Sequence, residues 1–563
     1  MKVVIVGGVA GGASAAARLR RLDEKAEIIM FERGSYISYA NCGLPYYVGG
    51  EITDKGALTL QTPESFHSRF QIDVRINSEV TAVNPASKSV TVKNLVNGNT
   101  YEETYDSLIL SPGAEPIKPQ IPGIDDKRIF TLRNIPDTYR IREYIEQEKP
   151  KTAVVVGGGY IGIEMAENLI KAGLSVTVVE LADHVIGSLD YDMACDVHRY
   201  LKSKGVHLLL GNGVKAFHPK EKDVEVELTS GVLRADLVLL SVGVRPDSKL
   251  AKEAGLQLNT RGAIRVNTHM RTSNAHIYAV GDAVEITDFI TGTAGFIPLA
   301  GPANKQGRIA ADNICGYDSK YKDTQGSSVL KLFDMTVATT GINERAAQMA
   351  GLNYDKLFTY SASHATYYPG ASNMSIKTIF EKETGRILGA QLVGFEGVDK
   401  RCDVLATAIR ANMTAFDLTE LELSYAPPFS SAKDPVNMIG FAIENLITDK
   451  VKQYHWYNVA ELPSDGSVTL LDTRTSAEYA RGHIDGTIHI PLDSLREHLD
   501  KLDKNKPVYV NCQSGLRSYI ACRILSQNGF DCYNLSGGYR LYESVMADKA
   551  FDCTPNHPCG MKI

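Results

Sequence analysis

Two of the chain's nine cysteines stand where a thiol could do chemistry. Cys42 lies in the loop from Ser35 to Tyr47, a run of small, aromatic and turn-forming residues. Cys512 opens the stretch Cys512-Gln513-Ser514-Gly515-Leu516-Arg517-Ser518, between a short apolar strand, Pro507 to Val510, and a helix-like segment. The thiolate is the nucleophilic and redox-active form of cysteine, and it is favoured by positive charge and by convergent backbone N–H groups. A loop of the Cys512 kind wraps N–H groups around the sulfur, points the positive end of the next helix at it, and adds the full charge of Arg517. The other cysteines (Cys195, Cys315, Cys402, Cys522, Cys532, Cys553 and Cys559) make no close CxxC pair, so the set reads neither as a disulfide framework nor as a zinc site. Only the tail, with Cys553, Cys559 and His557, leaves a metal site open.

The elements that must position Cys42 begin at the N-terminus. Lys2 to Val6 is a β-branched run, followed by Gly7-Gly8-Val9-Ala10-Gly11-Gly12 and an alanine-rich helical stretch to Leu22. Strand, glycine turn and helix aim backbone N–H groups at a pyrophosphate, and the next strand, Glu27 to Phe31, ends at Glu32, where a carboxylate meets a ribose hydroxyl. On the helix Ser14, Arg18 and Arg21 fall at i, i+4 and i+7, one face that is either a solvated basic surface or an anion site near Cys42.

The pattern returns at Thr152 to Val156, with Gly157-Gly158-Gly159-Tyr160-Ile161-Gly162 as a full GxGxxG, a helix from Glu164 to Ala172, and the strand Ser175 to Val179 ending at Glu180. The Glu180 carboxylate suits the adenine-ribose 2′-OH and repels a 2′-phosphate, which favours NADH over NADPH. Ser107 to Pro116, with Gly113, and Leu237 to Pro246, with Gly243, are alike, as expected if each nucleotide fold ends in the same strand and turn. Two dinucleotide sites predict a held flavin (FAD) and an admitted nicotinamide, able together to deliver electrons to a third group. The stretch Thr272 to Asp282 reads as a strand ending in Gly-Asp, whose aspartate either caps the next helix or, by resemblance to two-dinucleotide flavoproteins, meets the flavin ribityl chain.

With these motifs residues 1 to about 445 resemble the pyridine nucleotide-disulfide oxidoreductases, in particular the single-cysteine branch that includes CoA-disulfide reductase and NADH oxidase and peroxidase. Ordinary disulfide reductases of that superfamily carry CxxxxC, whereas here Tyr47 stands five residues after Cys42. Cys42 is therefore expected to act through a thiolate that forms a mixed disulfide, persulfide or sulfenic acid. The resemblance implies coenzyme A contacts at Ser14, Arg18, Arg21, Ser38 and Asn41, with Asn304 and Arg308 as further candidates. It also implies a dimerisation domain over Ser328 to Asn445, whose Tyr367 and Tyr425 reach the thiol of a partner subunit. Ser424-Tyr425-Ala426-Pro427-Pro428 has no histidine, so a phenol replaces the usual His-Glu pair as proton donor.

Asp472-Thr473-Arg474 through Tyr479 and Gly482-His483-Ile484 through Pro491 resemble rhodanese signatures, and the spacing from Cys512 to Arg517 resembles sulfurtransferases more than the longer-looped phosphatases of that fold. The expected architecture is α/β: two Rossmann-like domains, for FAD (1–113 and 246–325) and NAD (114–245), an α+β dimerisation domain (326–445), a linker (446–458) and a C-terminal α/β rhodanese domain with a tail (459–563).

Bulk properties agree with this. The chain has 563 residues, enough for three or four domains at roughly 150 residues each. A net charge of -6 and a pI near 6.1 argue against a nucleic-acid partner. Val3 to Ala17 is apolar, but glycines interrupt it and its positive charges, Arg18, Arg20 and Arg21, come after rather than before, unlike a secretory signal. With no run as long as a membrane span, a cytoplasmic protein is expected, and the resemblance implies a homodimer. The resulting hypothesis is a catalyst in which NADH reduces FAD, FAD reduces Cys42, and Cys42 attacks the sulfane sulfur of a CoA persulfide or polysulfide while Cys512 accepts or delivers sulfur. The alternatives are CoA-disulfide reduction and a sulfur-relay or redox-sensing role for Cys512.

Overall fold

A computed structural model describes residues 1–549, so the tail with Cys553, His557 and Cys559 lies outside the described residues. The chain divides into two compact units, Met1–Val179 with Gly213–Gly326, and Glu180–Asn212 with the residues from Ser327 onward.

In the first unit, five parallel strands lie in the order Ile277–Ala279, Ser107–Leu110, Lys2–Val6, Glu27–Phe31 and Asp73–Arg75. Val3 to Ile5 are fully buried, as a parallel strand covered on both faces requires, and this is why they read as an unbroken apolar run. The helix Ala10–Leu22 follows the first strand directly through the glycine turn. A second parallel sheet has neighbouring strands Ser175–Val179, Thr152–Val156, Leu237–Leu240 and Ile129–Thr131. Its glycine-turn helix runs Tyr160–Lys171, beginning four residues before the expected Glu164 because the helix starts on the GxGxxG turn itself. The expected strand from Thr272 to Asp282 is shorter, Ile277–Ala279, and closes in the 3-10 turn Gly281–Ala283.

The second unit holds an antiparallel sheet, in the order Ser328–Leu332, Met335–Gly341, Ile387–Gly394, Asn373–Glu381 and Tyr354–Ala362. It also holds a parallel sheet, Lys452–Tyr454, Cys532–Leu535, Val508–Asn511, Thr469–Asp472 and Ile488–His489. The stretch 446–458, expected to be a linker, thus supplies an edge strand of that sheet, and Trp456 beyond it is buried. Among the described residues no helix is long and apolar enough to cross a membrane.

Candidate functional site

The first glycine turn is closed to any side chain. Gly7 has φ +100°, and a Cβ there would stand 2.1 Å from the Ser111 carbonyl oxygen, while one on Gly12 would stand 1.9 Å from the Gly7 oxygen. The helix Ala10–Leu22 therefore seats tightly on the turn with its first N–H groups facing outward. Glu32 accepts from the backbone N–H of Gly8 at 3.0 Å and of Gly34 at 2.8 Å, which fixes its carboxylate at the end of the second strand. Gly7, Glu32, Ser111, Gly113 and Arg133 line one cavity of about 340 Å³. Asp282 caps no helix; its carboxylate lies 3.7 Å from the Arg133 guanidinium, and burial raises its pKa against that charge. A side-chain-free cradle of N–H groups, a fixed carboxylate and a cavity beside them fit a dinucleotide such as FAD.

The second turn repeats the geometry. Gly157 has φ +105° with the Ser241 oxygen 2.4 Å from where a Cβ would be, and at Gly162 the Gly157 oxygen would lie 1.9 Å away. At Gly159 the same position opens into free space, so a phosphate can come close to the backbone. Gly243 follows the strand Leu237–Leu240, as Gly113 follows Ser107–Leu110. Glu180 belongs to the second unit, where its carboxylate accepts from Ala182 N–H at 2.7 Å.

Cys42 is a free, exposed thiol in the short 3-10 turn Asn41–Gly43. Tyr47, in the place of a second cysteine, is buried with its ring 5.6 Å from that of Tyr139. Although the residue is exposed, partial desolvation of its sulfur raises the Cys42 pKa, and the carboxylates of Glu164 and Asp282 add to the rise. The expectation of a ready thiolate thus meets an electrostatic setting, within this unit, that holds the proton on. Glu164 was not singled out from sequence. Burial lifts its pKa to about 7, against a hydrogen bond from the Tyr46 hydroxyl. The signal was present in its place two residues past Gly162, in the first turns of the helix Tyr160–Lys171.

Ser14, Arg18, Arg21, Ser38, Asn304 and Arg308 line a single cavity of about 380 Å³. The Ser14 hydroxyl donates to Asn304 Oδ1 at 2.6 Å, and Arg18 is held by Asp312 at 2.7 Å, which leaves Arg21 and Arg308 as the cations of the cavity without such a partner on that helix pair. Its floor is apolar, from Phe66 and Phe70, which the sequence reading missed although their i, i+4 spacing puts them on one helix face. Asn41 is not part of this lining; its side-chain oxygen is buried without a hydrogen-bond partner among the described residues.

In the second unit the hydroxyls of Tyr367 and Tyr425 lie 2.9 Å apart, and both rings are exposed. Cys512 is fully buried, and its sulfur accepts from Gly515 N–H and from the Ser518 hydroxyl, each at 3.2 Å. The helix Leu516–Gln527 starts at Gly515, so its N-terminus faces the sulfur as expected. Arg517, however, does not offer a free charge. Its two terminal nitrogens bind both oxygens of Glu478 at 2.7 and 2.8 Å.

The domain models place the chain. The model of the pyridine nucleotide-disulphide oxidoreductases matches residues 1–307, that of their dimerisation domain matches 327–435, and that of the rhodanese-like domain matches 457–544. Coenzyme A disulfide reductase of Staphylococcus epidermidis is 37% identical over 442 residues, 78% of this chain and 99% of that protein. Among solved structures, reduced Bacillus anthracis CoADR-RHD aligns with a TM-score of 0.95 and 51% identity, covering 97% of this chain and 98% of the other. A NAD-dependent persulfide reductase from A. fulgidus aligns with a TM-score of 0.90 and 38% identity, covering 96% and 100%. The family implies FAD and a pyridine nucleotide, and the dimerisation domain suggests a homodimer. On its sequence, its paired glycine turns and these matches, the chain belongs to the pyridine nucleotide-disulphide oxidoreductases, as a member that carries a C-terminal rhodanese-like domain.

Proposed function

We propose that the protein uses NADH to reduce sulfane sulfur, carried on a thiol such as coenzyme A, to sulfide through Cys42. The observation that carries this reading is the pairing of a lone thiol, with Tyr47 where a second would stand, and a backbone-cradled sulfur at Cys512 in one chain. Likeness over nearly the whole chain to a NAD-dependent persulfide reductase supports it. FAD, when bound, passes an electron pair from NADH to a sulfur acceptor.

The residues of the chain supply the rest. The cavity lined by Arg21 and Arg308 together with Phe66 and Phe70 suits the phosphates and adenine of coenzyme A. The Cys42 thiolate attacks the outer sulfur of R–S–SH, the S–S bond breaks, R–S⁻ leaves, and Cys42–S–SH remains. Two electrons and a proton then return the Cys42 thiolate and release H₂S. The paired phenols of Tyr367 and Tyr425, exposed on the second unit, are suited to give that proton to the sulfide leaving Cys42 of the partner subunit in a homodimer. Glu180 gives the preference for NADH, and Cys512 accepts or delivers sulfur. The second reading, coenzyme A disulfide reduction, is favoured by identity to the staphylococcal enzymes over almost their full length.

Steady-state NADH oxidation with CoA persulfide, CoA disulfide or oxygen as sole acceptor decides between them. Persulfide is expected to give the highest kcat/KM, and Cys42→Ser to abolish it. Turnover with oxygen alone overturns the proposal, and turnover confined to the disulfide selects the second reading.

A further inference from the structure

We infer that the ion pair between Glu478 and Arg517 makes the rhodanese-like domain select organic persulfides over small inorganic dianions as sulfur donors. The inference rests on the reading of Cys512 as a sulfur carrier and adds the class of donor it takes.

The pair is built in advance. Glu478 is the third residue of the helix Ser476–Arg481, and its carboxylate is already held by the N–H of Thr475 at 2.9 Å and its hydroxyl at 2.8 Å, a reciprocal cap. Arg517 completes the set with two parallel N–H···O bonds, the strongest geometry available to a guanidinium. The arrangement keeps the Glu478 carboxyl ionised, with a pKa near 2 caused first by Arg517. Among the described residues, the other arginines on the segments bonded to the loop are engaged elsewhere. Arg474 is buried against Asp472 at 2.7 Å, and the Arg540 guanidinium lies over the ring of Tyr360 at 4.5 Å.

The Arg517 charge still reaches Cys512 but is matched by the Glu478 carboxylate, and among the described residues the sulfur itself is met by one N–H, one hydroxyl and a helix N-terminus. That set can steady one sulfur bearing a single negative charge. It does not match a sulfonate group, whose departure from thiosulfate as sulfite concentrates two negative charges beside the Glu478 carboxylate. An organic persulfide asks for less: the Cys512 thiolate attacks the outer sulfur of R–S–SH, that S–S bond breaks, R–S⁻ leaves, and Cys512–S–SH forms without net oxidation or reduction. Leu516 and Ile520, exposed at i and i+4 on either side of Arg517, offer the carbon portion of such a donor an apolar surface.

The test loads the full-length, flavin-containing protein with thiosulfate or with glutathione persulfide and follows the one-sulfur mass gain on the alkylated peptide carrying Cys512. In the unaltered protein the persulfide is expected to load faster by about 100-fold or more, the scale of two charge interactions near 1.4 kcal/mol each. Glu478→Gln keeps the helix cap, because glutamine serves in it, but releases Arg517, and the ratio is expected to move toward thiosulfate by about tenfold. Equal loading by both donors, or a ratio unmoved in Glu478→Gln, overturns the inference. No sulfur on Cys512 from either donor overturns the carrier reading beneath it.

Discussion

The titration of Cys42 is set by groups the sequence keeps far apart. Desolvation and the carboxylates of Glu164 and Asp282 raise its pKa, so the thiolate is the minor form below that raised value and grows as pH rises. Glu164 itself charges near pH 7, and above that point it opposes ionisation of Cys42 most strongly. Glu164→Gln removes the charge while keeping the shape. The rate of Cys42 alkylation by iodoacetamide is then expected to rise about twofold to threefold at pH 8, and its pH midpoint to fall, by the ordinary reach of one nearby charge. A midpoint that stays put or moves upward would show that the Glu164 carboxylate does not oppose ionisation of the thiol. The same variant should leave the modification of Cys512 unaltered, since that sulfur is held by Gly515 and Ser518.

At the scale of elements the glycine turns of the first unit are closed to side chains at Gly7, Gly12, Gly157 and Gly162. A methyl on Gly12 would fall 1.9 Å from the Gly7 oxygen, a backbone atom, so the strand-to-helix turn must open to admit it. Gly12→Ala is expected to purify with less than about a tenth of the flavin absorbance per chain, a penalty of 1.4 kcal/mol or more in retention; full flavin content would refute the cradle. These turns, and the strands Lys2–Val6 and Thr152–Val156, were legible in sequence because parallel strands covered on both faces are continuous apolar runs and the turns between strand and helix need glycine at Gly7 and Gly12 and at Gly157 and Gly162. Other features were not. The ion pair of Arg18 with Asp312 spans 294 positions, and that of Arg517 with Glu478 spans 39, so an arginine that looked free in each motif was already partnered by the fold. The stretch around Lys452 reads as a polar linker because an edge strand needs no apolar alternation on its open side.

At the largest scale, the second unit joins its antiparallel sheet to the rhodanese-like domain through buried charge. Lys377, with no exposed surface, meets Asp190 at 2.9 Å, Asp192 at 2.8 Å and Glu344 at 2.5 Å, and Lys356 also binds Glu344. The Trp456 indole N–H donates to Asp192 at 3.4 Å, and Gln453 donates to the Lys356 carbonyl at 2.9 Å, so the segment entering the rhodanese-like domain is bonded into the same cluster. At the far end of that domain Asp548 accepts from the Tyr191 hydroxyl at 3.0 Å and pairs with His198 at 2.9 Å. A domain anchored at both ends does not swing on a tether against the dimerisation sheet. Lys377→Met tests the anchor. Removing the cation leaves three buried carboxylates facing one another, and the cost is expected to be about 3–5 kcal/mol in urea unfolding, as for other broken buried ion pairs. Cleavage by added protease near residues 446–458 should rise in the same variant while the flavin absorbance of the first unit persists. A loss below about 1 kcal/mol, the range of an exposed pair, would mean that the cluster does not hold the two sheets together.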